Sequence, residues 1–112
     1  MVSVHEETIA NLRRDAGDGF DQLLQMFIDE LPGKLDLVIK AIESNNLEDT
    51  KSTVHKLKSN CGTFGALKMN ETCKQLEDSI ENGLNKKSVV FLEELRTESK
   101  KVLESLRKIA QN

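Results

Sequence analysis

Apolar residues recur every three or four positions along four long segments of the chain, and alternating strand-like patterns are absent. This spacing is typical of helices that bury one face. It predicts an all-α protein. The four apolar series, the last of which includes one serine, are Phe20, Leu24, Phe27, Leu31, Leu35, Val38 and Ile42; Leu47, Val54, Leu57 and Cys61; Ala66, Met69, Cys73, Leu76 and Ile80; and Leu92, Leu95, Ser99, Val102, Leu106 and Ile109.

Short polar and glycine-containing segments separate these series. Because short connections between long helices make neighbours antiparallel, we predict an antiparallel up-down four-helix bundle. A short amphipathic stretch before the bundle would cap one end through Ile9 and Leu12. The whole chain, residues 1–112, is predicted to be one domain. The predicted helices span residues 5–14, 18–44, 47–62, 66–82 and 86–110.

Several single residues refine these boundaries. Pro32 conflicts with a helix interior, but the apolar series continues across it without slipping, so we predict one kinked helix. Asn46 is the predicted N-cap of the next helix. Gly83 suits the left-handed position that ends the helix predicted over residues 66–82. Asn85 is the predicted N-cap of the helix over residues 86–110.

Composition excludes several classes of function. A net charge of −3, with four Phe and no Trp or Tyr, argues against a nucleic-acid binder. No run of about 18 apolar residues could span a membrane. The N-terminus lacks a secretory signal, so we expect a cytoplasmic protein with Cys61 and Cys73 as buried, reduced thiols. The initiating Met1 favours a free-standing protein over a segment of a larger kinase.

Candidate chemistry centres on His55. At about 100° per residue, this side chain projects about 115° from the centre of the buried face, toward solvent. The residues on the same face of the helix as His55 are Lys51, Lys58, Ser59 and Gly62. Imidazole, with an ordinary pKa near 6.5, is mostly a neutral nucleophile at neutral pH, and phosphoryl transfer depends on positioning and charge neutralisation. These residues therefore indicate a phosphoryl carrier, although an incidental surface histidine among solvated lysines remains the alternative.

A recognisable motif surrounds and follows this histidine: His55-x-Leu57-Lys58, Gly62, Phe64-Gly65-Ala66 and Cys73-x-x-Leu76-Glu77. This motif resembles that of histidine-containing phosphotransfer domains, the helical-bundle intermediates of multistep His-Asp phosphorelays. The resemblance covers most of the chain. The sequence departs from the family at Ser59, where glycine is usual, and at Asn60, where a smaller residue is common.

The resemblance implies a role for each matching residue. His55 would accept a phosphoryl group on Nε2, Lys58 would steady that group, and Glu77 would hydrogen-bond the imidazole. A solvated surface acid is the alternative for Glu77. The protein would be a carrier without kinase or nucleotide-binding activity of its own, because its glycines form no nucleotide-binding loop. It would need no cofactor, and no cluster with metal-ligand spacing is present.

The implied partners are receiver domains of response regulators or hybrid histidine kinases, each bearing a phosphorylatable aspartate and its own divalent cation. Residues 51–58 hold three lysines and no acid, which complements an acidic receiver site. Closing the end of the core is the alternative role for Ile9 and Leu12. The residues expected to contact a receiver are Ile9, Leu12, Lys56, Ser59 and Gly62.

Two other interpretations stay open at this point. The first is an adaptor bundle that binds signalling partners without phosphotransfer. The second is the dimerisation and phosphoacceptor bundle of a histidine kinase, which usually has an acid directly after the histidine. Here Lys56 occupies that position, and four helices already complete a core, so we expect a monomer.

Overall fold

The computed structural model of the protein describes residues 3–81, 83–84 and 86–111. These residues contain no strand. A 3-10 turn, Gly17–Gly19, joins the first two helices. The helices are α1 (Glu6–Ala16), α2 (Phe20–Glu43), α3 (Leu47–Thr63), α4 (Leu67–Ile80) and α5 (Lys86–Ala110).

Helices α2 to α5 form the bundle. Each packs against the next one along the chain, and α5 closes the bundle against α2. The predicted all-α, antiparallel four-helix bundle is confirmed. No described helix combines the length and the apolar character needed to cross a membrane.

The predicted apolar series form one core, with one correction at the start of α3. Leu47 is 42% exposed, whereas Thr50 is fully buried. The Thr50 hydroxyl donates to the Asn46 carbonyl at 2.7 Å, so this polar side chain enters the core with its hydrogen bond satisfied. The buried face of α3 therefore runs through Thr50, Val54, Leu57 and Cys61.

The ends of the helices follow the local chemistry of the sequence. Asn46 caps α3 as predicted, because its side-chain oxygen accepts from the Asp49 N–H at 3.0 Å. Pro32 lies inside a continuous α2. Gly83 has a φ of +88°, the left-handed conformation predicted for it. The cap predicted at Asn85 lies outside the described residues.

Helix α1 closes one end of the bundle. The backbone N–H of His5 donates to the Gly65 carbonyl at 2.7 Å, which ties the start of α1 to the turn between α3 and α4. Ile9 is only 6% exposed and belongs to the core, while Leu12 is half-buried against it. The burial of Ile9 supports its alternative role, which is to close the end of the core.

Candidate functional site

His55 projects from the middle of α3 into solvent. Its side chain is 66% exposed. Its neighbours Val54 and Leu57 are fully buried, and their burial fixes the rotation of the helix. The core thus forces the imidazole outward, as the helical spacing predicted.

Glu77 on α4 reaches across to two residues of α3. Its Oε2 lies 3.2 Å from Nδ1 of His55, and its Oε1 accepts from Nζ of Lys58 at 2.8 Å. The Glu77 and Lys58 side chains are 27% and 24% exposed, so the core shelters them partly from water. Glu77 is therefore not a freely solvated surface acid.

The contact with Glu77 determines which ring nitrogen of His55 is free. An ionised carboxylate can only accept hydrogen bonds, so Nδ1 carries the proton in this bond. In the neutral ring the other nitrogen, Nε2, then keeps an unshared electron pair. The geometry presents a nucleophilic nitrogen on an exposed, oriented ring.

Lys58 and Glu77 stabilise each other's charge. The hydrogen bond from Lys58 lowers the pKa of Glu77 against the opposing effect of burial, and the bond with His55 lowers it further. The same bond to Glu77 raises the pKa of Lys58, again against burial. An ammonium is thus held close to His55 by a carboxylate that also binds the imidazole.

Two shallow grooves flank the imidazole. One, between α3 and α4, includes Lys51 and Glu77 in its lining. The other lies between α2 and α3 and includes Lys56 and Ser59, both exposed. The structure therefore brings Lys56 and Ser59 together beside His55.

The groove between α2 and α3 also contains residues that the sequence analysis missed. Lys34 and Leu37 of α2 line it opposite α3. Leu37 is 56% exposed, a large apolar side chain outside the buried series of its helix. A large apolar residue outside the buried stripe could have marked Leu37 as a surface contact. Periodicity alone, however, does not show which neighbouring helix Leu37 lies beside.

The small size of Gly62 serves the packing of α3 on α4. A Cβ atom at Gly62 would lie 3.3 Å from Nδ2 of Asn70 on α4. Gly62 is itself only half-buried, so the docking contact expected for it stays a prediction. Glycine at this position leaves room for the neighbouring helix.

Cys61 of α3 and Cys73 of α4 lie at the interface between these two helices. Both are free thiols and fully buried, in agreement with the sequence analysis. The hydrogen bond with Cys61, together with burial, raises the pKa of the Cys73 thiol, which disfavours the reactive thiolate. Across the described residues, no group of three or more His, Cys, Asp or Glu is arranged to hold a metal ion.

Comparisons with known proteins agree with this fold. A family model described as the Hpt domain matches residues 22–109. The crystal structure of histidine-containing phosphotransfer protein B from Pseudomonas aeruginosa PAO1 superposes with a TM-score of 0.91 at 21% sequence identity, covering 97% of this chain and 95% of that one. At this identity the likeness shows the fold. No curated protein gives a significant match.

We expect Glu77→Gln to flatten the acid dependence of stability. Because Lys58 lowers the pKa of Glu77 in the folded protein, the carboxylate stabilises the fold at pH values above its ordinary pKa of 4.5. This stabilisation is lost as the pH falls through the lowered pKa that Glu77 has in the folded protein. Urea unfolding should show the variant less stable than the wild type near pH 7, with the difference shrinking toward pH 3.

Glu71→Gln, at an exposed position of the same helix, is the matched control. It should follow the wild-type pH dependence. A stability gap between Glu77→Gln and the wild type that stays constant across this range would contradict the ion pair.

Proposed function

Because the chain belongs to the Hpt domain family, we propose that it is a phosphorelay intermediate that receives a phosphoryl group on His55 from a receiver-domain aspartate. It then passes the group to an aspartate of another receiver domain. The observation that supports this role most directly is the bond from His55 Nδ1 to Glu77, which leaves Nε2 free on an exposed ring. A carrier needs this accessible nucleophile more than it needs a pocket.

The transfer step requires little machinery from the chain itself. The Nε2 electron pair attacks the phosphorus of the aspartyl phosphate, the bond from phosphorus to the aspartate oxygen breaks, and the aspartate leaves as a carboxylate. The ring gains a positive charge while Nδ1 keeps its proton, and Glu77 stabilises that charge. The second transfer reverses these steps with a new aspartate. Such chemistry depends mainly on positioning and charge neutralisation.

Lys58 supplies the compensating positive charge. It lies one helical turn beyond His55 and is held by Glu77 at 2.8 Å. An ammonium has three donors, so it can bind phosphoryl oxygens while one donor remains on the carboxylate. In this proposal Glu77 keeps the cation next to the acceptor before the phosphoryl group arrives.

The proposed partner docks over the groove between α2 and α3. Lys56, Ser59 and Leu37 line this groove beside His55. In this proposal the half-buried Leu12 of α1 would also contact the receiver. The lysines around His55 complement an acidic receiver site, which would speed encounter. The divalent cation would belong to the receiver, and the chain would act as a monomeric carrier without using nucleotide.

We expect His55→Gln to abolish phosphoryl acceptance. With a receiver charged by a small-molecule phosphodonor, the wild type should gain an acid-labile, base-stable label, whereas the variant should gain none because it lacks the nucleophilic nitrogen. His5→Gln is the matched control, since His5 is the other histidine of the chain. Label on the His55 variant would contradict the assignment, and a wild type that no cognate receiver labels would favour an adaptor.

We expect Leu37→Glu to slow transfer from a charged receiver on the order of tenfold, because it places a like charge opposite an acidic receiver site. Leu37 is 56% exposed, so thermal unfolding should change little. Val89→Glu on α5 is the control, because Val89 is also 56% exposed and lies outside this groove. Equal single-turnover rates for the two variants would show that the receiver docks elsewhere.

A further inference from the structure

Asn70 makes a polar contact between α4 and α3. Its side-chain Nδ2 donates to the backbone carbonyl of Lys58 at 2.7 Å. The side chain is half-buried, and Asn70 lies in the first turn of α4, which has Ala66 as its N-cap. Because the Asn70 amide binds the main chain of α3, its contribution is to the contact between α3 and α4.

Gly62 provides the space for this contact. A Cβ atom at position 62 would lie 3.3 Å from the Asn70 Nδ2, tighter than ordinary van der Waals contact. A side chain there would require the amide to shift by a few tenths of an ångström relative to the Lys58 carbonyl. Gly62 and Asn70 therefore fit together as a pair across the two helices.

The same face of α4 carries Asn70 and Glu77, about two helical turns apart. Both residues hold Lys58: Asn70 binds its carbonyl, and Glu77 binds its ammonium. Glu77 also contacts His55. The contact at Asn70 therefore joins α3 and α4 on the face across which the Glu77 side chain reaches.

The two Glu77 contacts differ in how well they tolerate a shift of α3. The lysine side chain is long and flexible, so its 2.8 Å bond can follow a small displacement. The 3.2 Å contact with the shorter imidazole side chain is already near the upper end of the usual hydrogen-bond range. A small relative movement of the helices would therefore break the contact with His55 first.

We propose that Asn70 is a positioning residue for His55, whose amide fixes α3 against α4 at Lys58 so that Glu77 reaches Nδ1 of the imidazole. The effect on transfer rests on the proposed phosphoryl-carrier function. The effect on the ring of His55 does not, because it follows from the three hydrogen bonds alone.

The test compares Asn70→Leu, which removes the amide at similar volume, with Thr72→Val. Thr72 is buried on the same helix and donates to the Lys68 carbonyl at 3.1 Å, a bond within α4. Nitrogen-15 NMR of the histidine rings, above the pH where imidazole titrates, reports which ring nitrogen carries the proton. The wild type and Thr72→Val should hold His55 with the proton on Nδ1, and Asn70→Leu should show a mixture of both tautomers.

Single-turnover transfer from a charged receiver should fall on the order of tenfold in Asn70→Leu and stay unchanged in Thr72→Val, each measured where the variant is folded. Wild-type tautomer and transfer rate in Asn70→Leu would overturn the proposal, as would a mixed tautomer in the wild type. If Asn70→Leu does not fold, Gly62→Ala replaces it and should shift the tautomer in the same direction. A wild type that accepts no phosphoryl group would count against the carrier function, while the NMR comparison would still decide the role of Asn70.

Discussion

The site depends on one carboxylate that binds two groups of a neighbouring helix. Glu77 accepts from Lys58 with one oxygen and contacts His55 with the other. This arrangement orients the imidazole and keeps a cation next to it. It also requires α3 and α4 to stay in a fixed relative position, because a carboxylate has a short reach. The packing between these two helices is therefore as important to the site as the histidine itself.

The bundle exposes the His55 side chain to solvent and also fixes the orientation of its ring. A phosphoryl carrier must present its histidine to large partners, yet a freely rotating exposed side chain would present either nitrogen. Burial of Val54 and Leu57 turns His55 outward, and Glu77, placed on α4 next to the fully buried Leu76, fixes the ring from the side. The hydrophobic core thus determines the direction of the side chain, and one polar contact determines which of its atoms faces the partner.

Hydrophobic spacing predicted the helices well, because each bundle helix buries one apolar stripe that recurs with the helical period. It failed where a polar residue enters the core. Thr50 is buried because the Asn46 carbonyl satisfies its hydroxyl, and periodicity of apolar residues cannot detect that. The start of α2 at Phe20 instead of residue 18 follows from the 3-10 turn at Gly17–Gly19, which the sequence pattern did not separate from the helix.

For the site, helical geometry placed His55 in solvent from the spacing of its neighbours. The contact with Glu77 joins residues 22 positions apart, so it depends on how α3 crosses α4, and only the family resemblance indicated it. The contact of Asn70 with α3 beside Gly62 was missed for the same reason. The most direct test of the proposed site is nitrogen-15 and phosphorus-31 NMR of the phosphorylated protein, which identifies the ring nitrogen of His55 that is bonded to phosphorus. We expect phosphorus on Nε2 with the proton retained on Nδ1, and phosphorus on Nδ1 would contradict the proposed site.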